Sequence, residues 1–166
     1  MRLWASTKPV DELTGLLSRG SWVRDVDDAL SNPTKERVAV IVMNIDQFCQ
    51  VNKTYGYVFG DEVLRQIGQV FLNRCKTRNA VPYSTFGDGL AVVLKGGDAQ
   101  SALELAELLR LDVEGLGMTK EPVTVSAGVA VAKDGEWVEE LFDGAEQAMY
   151  GAKRKGRNQV GVRAAT

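Results

Sequence analysis

Residues 83–94 read YSTFGDGLAVVL, and their reading sets the fold. Two apolar runs, AVPYSTF at 80–86 and GLAVVLK at 89–95, flank Gly87-Asp88. Runs of this kind joined by Gly and Asp predict a β-hairpin of the two-residue type. Taken alone, GDG is an ordinary tight turn. Upstream, VAVIVMNI (Val38–Ile45) is continuously apolar, as expected of an inner strand covered on both faces. The hairpin and this strand predict one sheet.

The remaining segments alternate with these strands. A turn at Thr14-Gly15 leads into a helix ending near Leu30, and residues 31–37 form a loop. A short helix is predicted from Gln47 to about Thr54, then a turn over residues 55–60. From Asp61, Leu64, Ile67 and Phe71 recur at helical spacing, with Val63 and Val70 widening the face. Asp98 is a good N-cap for a helix whose core face is Ala99, Ala102, Leu103, Ala106 and Leu109, stopped by glycines 115 and 117. Residues 122–132 form a strand with small residues at its centre. The last helix places Val138, Leu141, Phe142, Ala145, Ala148, Met149 and Ala152 on one face and ends at Gly156, before a final strand, NQVGV. Hairpin strands with helices between them predict an α+β domain with a central, mostly antiparallel sheet.

Composition narrows the chemistry. The 166 residues suit one domain, and 45% hydrophobic residues suffice for a core. A net charge of -2 argues against a general nucleic-acid surface. The chain has no histidine, which excludes a histidine triad and a histidine-ligated zinc site. Its two cysteines, Cys49 and Cys75, lack metal-like spacing. The N-terminal residues Arg2, Lys8, Asp11 and Glu12 leave no apolar signal core, and VAVIVM is too short to span a bilayer. A cytoplasmic setting with no membrane insertion of this segment is expected, and residues 1–166 are read as one domain cut from a larger signalling protein.

Four ordered motifs carry a resemblance over about residues 11–160. DELTGLLSR is similar to D-x-L-T-G-L-x-N-R, and NIDQFCQVNKTYGYVFGDEVL to D-I-D-x-F-K-x-I-N-D-x-x-G-H-x-x-G-D-x-V-L; TVSAGVA and AMYGAKRKGRNQV follow the later signatures closely. The chain resembles the GGDEF domain of diguanylate cyclases, which join two GTP molecules into cyclic di-GMP. The resemblance implies a palm-like fold of the nucleotidyl-cyclase, ferredoxin-like kind.

It also implies roles for particular residues, and the chain departs from the pattern at several. Where the family has R-x-G-G-D/E-E-F, residues 84–90 read Ser-Thr-Phe-Gly-Asp-Gly-Leu. Phe86 replaces the first glycine and either puts a ring where the backbone nears the nucleotide or reorients the hairpin. Asp88 matches a metal ligand; Gly89 replaces the neighbouring carboxylate. Asn44 stands where the family has a metal-binding aspartate, and a neutral amide is the poorer partner for Mg²⁺. Asp46, two residues on and roughly 6–7 Å along the strand, is a weak substitute ligand, better read as a cap for the short helix. Cys49 replaces a phosphate-binding lysine. Lys153 and Arg157 match cations that reach the triphosphate, although cations also suit a helix C-terminus. Asn52 and Asp61 match the pair that reads the guanine edge, an amide and a carboxylate suiting the guanine donors and one acceptor; Asp61 also suits an N-cap, with Gly60 before it. The family's R-x-x-D product-inhibition positions fall on Thr77 and Ala80, with Arg78 one residue out of register, so that site is read as absent.

The resemblance therefore implies a degenerate GGDEF domain with no intact catalytic set, Asp88 being its remnant. Its expected role is regulatory or guanine-nucleotide-sensing in cyclic di-GMP signalling. Expected partners are GTP or GDP, and a protein or a fused sensor or phosphodiesterase domain; a homodimer is compatible. Two alternatives stay open: a weakly active cyclase using Asp88 and Asp46, with Mg²⁺ as cofactor in that case only, and a protein-interacting scaffold.

Overall fold

The computed structural model describes residues 8–32 and 36–164. In chain order the elements are α1 (Arg19–Leu30), β1 (Val38–Ile45), α2 (Phe48–Tyr55), α3 (Tyr57–Cys75), β2 (Ala80–Ser84), β3 (Gly89–Lys95), α4 (Ala99–Glu114), β4 (Val125–Val131), α5 (Val138–Arg154) and β5 (Val160–Val162). The five strands form one sheet in the order β2-β3-β1-β4-β5. β1 is central and antiparallel to both β3 and β4; only the short β5 runs parallel, to β4. The expected α+β sheet flanked by helices is what the chain forms, and β1 has the predicted bounds.

The apolar run of β1 is explained by its two covered faces. Ala39, Ile41, Met43 and Ile45 pack with Val63, Ile67 and Phe71 of α3 and with Leu105 and Leu109 of α4. Val38, Val40 and Val42 face the other way, against Trp22 and Val26 of α1 and Leu141, Ala145 and Met149 of α5. Period-two alternation thus supplies two cores from one strand. At the sheet edge, Ser84 N–H donates to Leu17 O at 2.8 Å, so the chain before α1 covers part of β2. That pairing also explains why α1 begins only at Arg19, later than the sequence suggested.

The small residues of β4 have a mechanical reason. A Cβ added at Gly128 would lie 1.9 Å from the Ala145 carbonyl oxygen and 2.4 Å from the Met149 nitrogen. Glycine is therefore what lets α5 lie directly on the sheet. Gly128→Val should cost about 3 kcal/mol or more, because backbone rather than a movable side chain must yield. Urea unfolding checks this; a loss under about 0.5 kcal/mol would contradict the close approach.

Two local expectations need correction. The predicted turn at residues 55–60 is a single residue, Gly56, with φ 91° and ψ 162°, and α3 starts at Tyr57. Gly60 and Asp61 consequently lie inside α3, so Asp61 is not its N-cap. On α4, Ala99 is exposed and Leu103 half-buried, whereas Leu105 and Val113 join Ala102, Ala106 and Leu109 in the core. Asp98 does cap α4: it accepts from Ser101 N–H at 2.8 Å, and its own N–H donates to Ser101 Oγ. The hairpin turns at Gly87-Asp88 as expected, with a bulge just before the turn. Gly89 N–H donates to Phe86 O at 2.8 Å while Gly89 O accepts from Thr85 N–H at 3.0 Å, leaving Phe86 as a bulge on the β2 side.

Candidate functional site

Asn44, Asp46, Asp88 and Lys153 meet at the C-terminal end of β1. Asn44 is paired with Gly89 of the hairpin on one side and with Ser126 of β4 on the other. Ile45 N–H donates to Asp88 O at 3.3 Å, which sets the hairpin turn against the strand end. Asp88 itself is half-buried. Phe86 does not fold back over this point: its ring is 69% exposed and carries the Arg19 guanidinium 4.0 Å from its centroid. Cys49, one residue into α2, is exposed.

Lys153 reaches the same place from the last turn of α5. Its ammonium donates to Asn44 Oδ1 and lies 3.9 Å from Asp46 Oδ1. Only 20% of its side chain is exposed. A cation is thus seated where the resemblance puts the first metal-binding carboxylate, and its partner there is an amide.

Asp46 is 7% exposed and fully engaged. Oδ1 accepts from Ser126 Oγ at 2.6 Å; Oδ2 accepts from Thr124 Oγ1 at 2.7 Å and from Asn158 N–H at 3.1 Å. The cap reading of Asp46 is corrected. The N-cap of α2 is Gln47, at φ 52°, and it makes no side-chain cap bond. Asp46 instead ties the end of β1 to β4 and to the turn after α5. Among the described residues, no three of His, Cys, Asp and Glu converge to hold a metal ion.

The α2–α3 elbow sets Asn52 against the residue before Asp61. The Asn52 amide lies against Gly60, where an added Cβ would fall 1.8 Å from its Oδ1. Asp61 follows directly, exposed on the surface of α3 and free of capping duty. Gly56 makes this possible by turning the chain in one residue with a backbone conformation that side chains disfavour. Tyr55 and Phe59 stack across the elbow with ring centroids 4.9 Å apart.

The turn beyond Lys153 holds what sequence reading missed. Gly156 is the left-handed stop expected after α5, but Arg157 and Asn158 also have positive φ, 64° and 46°. Asn158 joins α4 through Arg110 and Glu114 as well as Asp46. Asn158 belongs to the quoted GRN motif, and that was its one signal. Arg110 and Glu114 have the look of ordinary helix-surface charges.

The family described as "Diguanylate cyclase, GGDEF domain" matches residues 8–159. The chain belongs to the GGDEF family. The cyclic di-GMP phosphodiesterase PdeR of Escherichia coli (strain K12) is 32% identical over 168 residues, covering 98% of this chain and 24% of that protein. The GGDEF domain of DgcB from Caulobacter crescentus, solved in complex with c-di-GMP, superposes with a TM-score of 0.85 at 27% identity, covering 94% of this chain and 93% of the other. Diguanylate cyclase SiaD of Pseudomonas aeruginosa, solved with its activator SiaC, gives 0.84 at 26% identity over 92% of this chain and 61% of that one. The chain spans between 24% and 37% of the length of the curated relatives PdeR and DgcM. Among the described residues, no helix is long and apolar enough to cross a membrane.

Proposed function

We propose that this chain is a catalytically silent GGDEF domain that binds guanine nucleotide without needing a metal, and acts as a regulatory module in cyclic di-GMP signalling. The observation that carries the reading is the Lys153 ammonium donating to Asn44 Oδ1. The donor set does not fit Mg²⁺, which takes hard anionic oxygens in near-octahedral order. Asn44 offers a neutral oxygen already bonded to a cation, Gly89 offers none, and Asp46 spends both oxygens on its own hydrogen bonds. Asp88 is left alone at the turn, and one carboxylate does not hold two divalent ions against a triphosphate.

Recognition of the base is better preserved. Asn52 packs against Gly60, the residue before Asp61, and Asp61 makes no cap bond to α3. Lys153 and Arg157 supply positive charge for phosphates without a metal between them. Phe86 turns outward to Arg19, so its ring does not fill the cleft. A guanine nucleotide held this way binds through the protein's own charges, and its occupancy is what a fused or separate partner reads.

The test is selectivity. GTP should bind more tightly than ATP, and Asp61→Ala should weaken GTP about tenfold while leaving ATP unchanged, as loss of a charged hydrogen bond to the base requires. Equal binding of the two nucleotides, or equal loss for both in the variant, would overturn the assignment of Asp61. A protein-contact scaffold is the second reading. It is favoured by large apolar side chains exposed around the site: Tyr57 at 79%, Val58 at 86% and Phe86 at 69%.

A further inference from the structure

Arg157 and Asn158 are two consecutive non-glycine residues in the left-handed region, with φ of 64° and 46°. Side chains adopt that region rarely, and a strained backbone persists only where its surroundings hold it. Here the holding groups are explicit. Arg157 N–H donates to Ala152 O at 3.1 Å. Asn158 N–H donates to Asp46 Oδ2 at 3.1 Å. The Asn158 side-chain amide donates to Glu114 Oε2 at 3.0 Å and accepts from Arg110 at 2.9 Å. Arg110, with 14% of its side chain exposed, is fixed in turn by Glu107 and Glu114 at 2.9 Å each. The Arg157 side chain shows the opposite condition. It is exposed, and among the described residues its guanidinium has no partner.

A clamped backbone carrying an unengaged guanidinium is a preorganised anion contact. Arginine meets phosphate oxygens with a rigid two-pronged fork, and fixing its backbone beforehand lowers the ordering cost on binding. We propose that Arg110, acting through Glu114 and Asn158, is a positioning residue that aims Arg157 at the distal phosphates of a bound nucleotide. This rests on the nucleotide-binding reading above. It adds α4 to the site through the Arg110 and Glu114 contacts to Asn158.

The test compares GTP with guanosine, which lacks the phosphates, by NMR titration. Arg110→Met should weaken GTP about tenfold and guanosine less than about twofold. Arg157→Ala should show the same split, and Arg110→Met/Arg157→Ala should be no weaker than Arg157→Ala alone, since both act on one contact. Asn158→Gly guards against misfolding: glycine takes the left-handed conformation freely but breaks the link to α4, so the same GTP-selective loss is expected. Equal losses for GTP and guanosine, or additive losses in the double variant, would mean that Arg110 only supports the fold. If the unaltered protein binds no GTP, the nucleotide reading fails by itself, and positioning is then read from amide exchange at Asn158. Faster exchange there in Arg110→Met, at unchanged global stability, supports the clamp; unchanged exchange overturns it.

Discussion

Incubated with GTP and Mg²⁺ or Mn²⁺ at high enzyme concentration, the protein is expected to yield no cyclic di-GMP. Its rate should fall at least about 10³-fold below that of a GGDEF domain carrying the full motif, the scale set by removing one preorganised charge contact. The departures at Asn44, Cys49, Phe86 and Gly89 all bear on one task, stabilising charge at the phosphates, so their effects need not add. Lys153 compounds the loss, because its ammonium sits at Asn44 where a divalent ion would have to enter. A chromatographic product assay, run beside Asp88→Ala, checks this. Product that appears with the unaltered protein and vanishes in that variant would show a working catalytic remnant.

The second large effect concerns stability. Asp46→Ala should destabilise the domain by about 3–5 kcal/mol, the range for breaking a buried charged network by removing one partner. The Thr124 and Ser126 hydroxyls and the Asn158 N–H would lose their shared acceptor, and the Lys153 ammonium the carboxylate 3.9 Å away. For a domain of this size that corresponds to a fall in melting temperature of roughly 10 °C. Asp46→Asn keeps an acceptor oxygen and should cost distinctly less. Thermal unfolding decides: a loss under about 1 kcal/mol for Asp46→Ala would contradict the role given to this carboxylate as the tie between β1, β4 and the turn after α5.

Particular residues show how far the sequence could be read. Continuous apolarity gave β1 its observed bounds because both faces of a central strand are covered, a local pattern with a local signature. Asp98 was legible for the same reason, since a cap acts within one turn. The elbow was misread because a single glycine does there what usually takes several residues; Gly56 turns the chain so sharply that Tyr57-Val58-Phe59, which has no strong helical signal, opens the helix. The contacts that define the site were not legible at all. Lys153 and Asn44 are 109 residues apart, and the partners of Asp46 lie 78 to 112 residues away. Periodicity says which face a side chain takes, but not which distant side chain it meets. Asp46 shares the strand alternation of Asn44, yet strand pairing with β4 delivered hydroxyls to it. The motif resemblance assigned Asn52, Asp61, Lys153 and Arg157 to one site; the fold packs Asn52 on Gly60 and Lys153 on Asn44. Arg110 had no motif to mark it and became visible only through its contact with Asn158.

A guanine nucleotide held by the protein's own charges should need no metal to bind. Calorimetric titration of GTP into the folded protein, once with excess Mg²⁺ and once with chelator, tests it most directly. Binding is expected in both, with dissociation constants within about threefold of each other. Binding that appears only with Mg²⁺ would show that Asp88 and its neighbours still hold a metal, and no heat in either condition would leave the scaffold reading in its place.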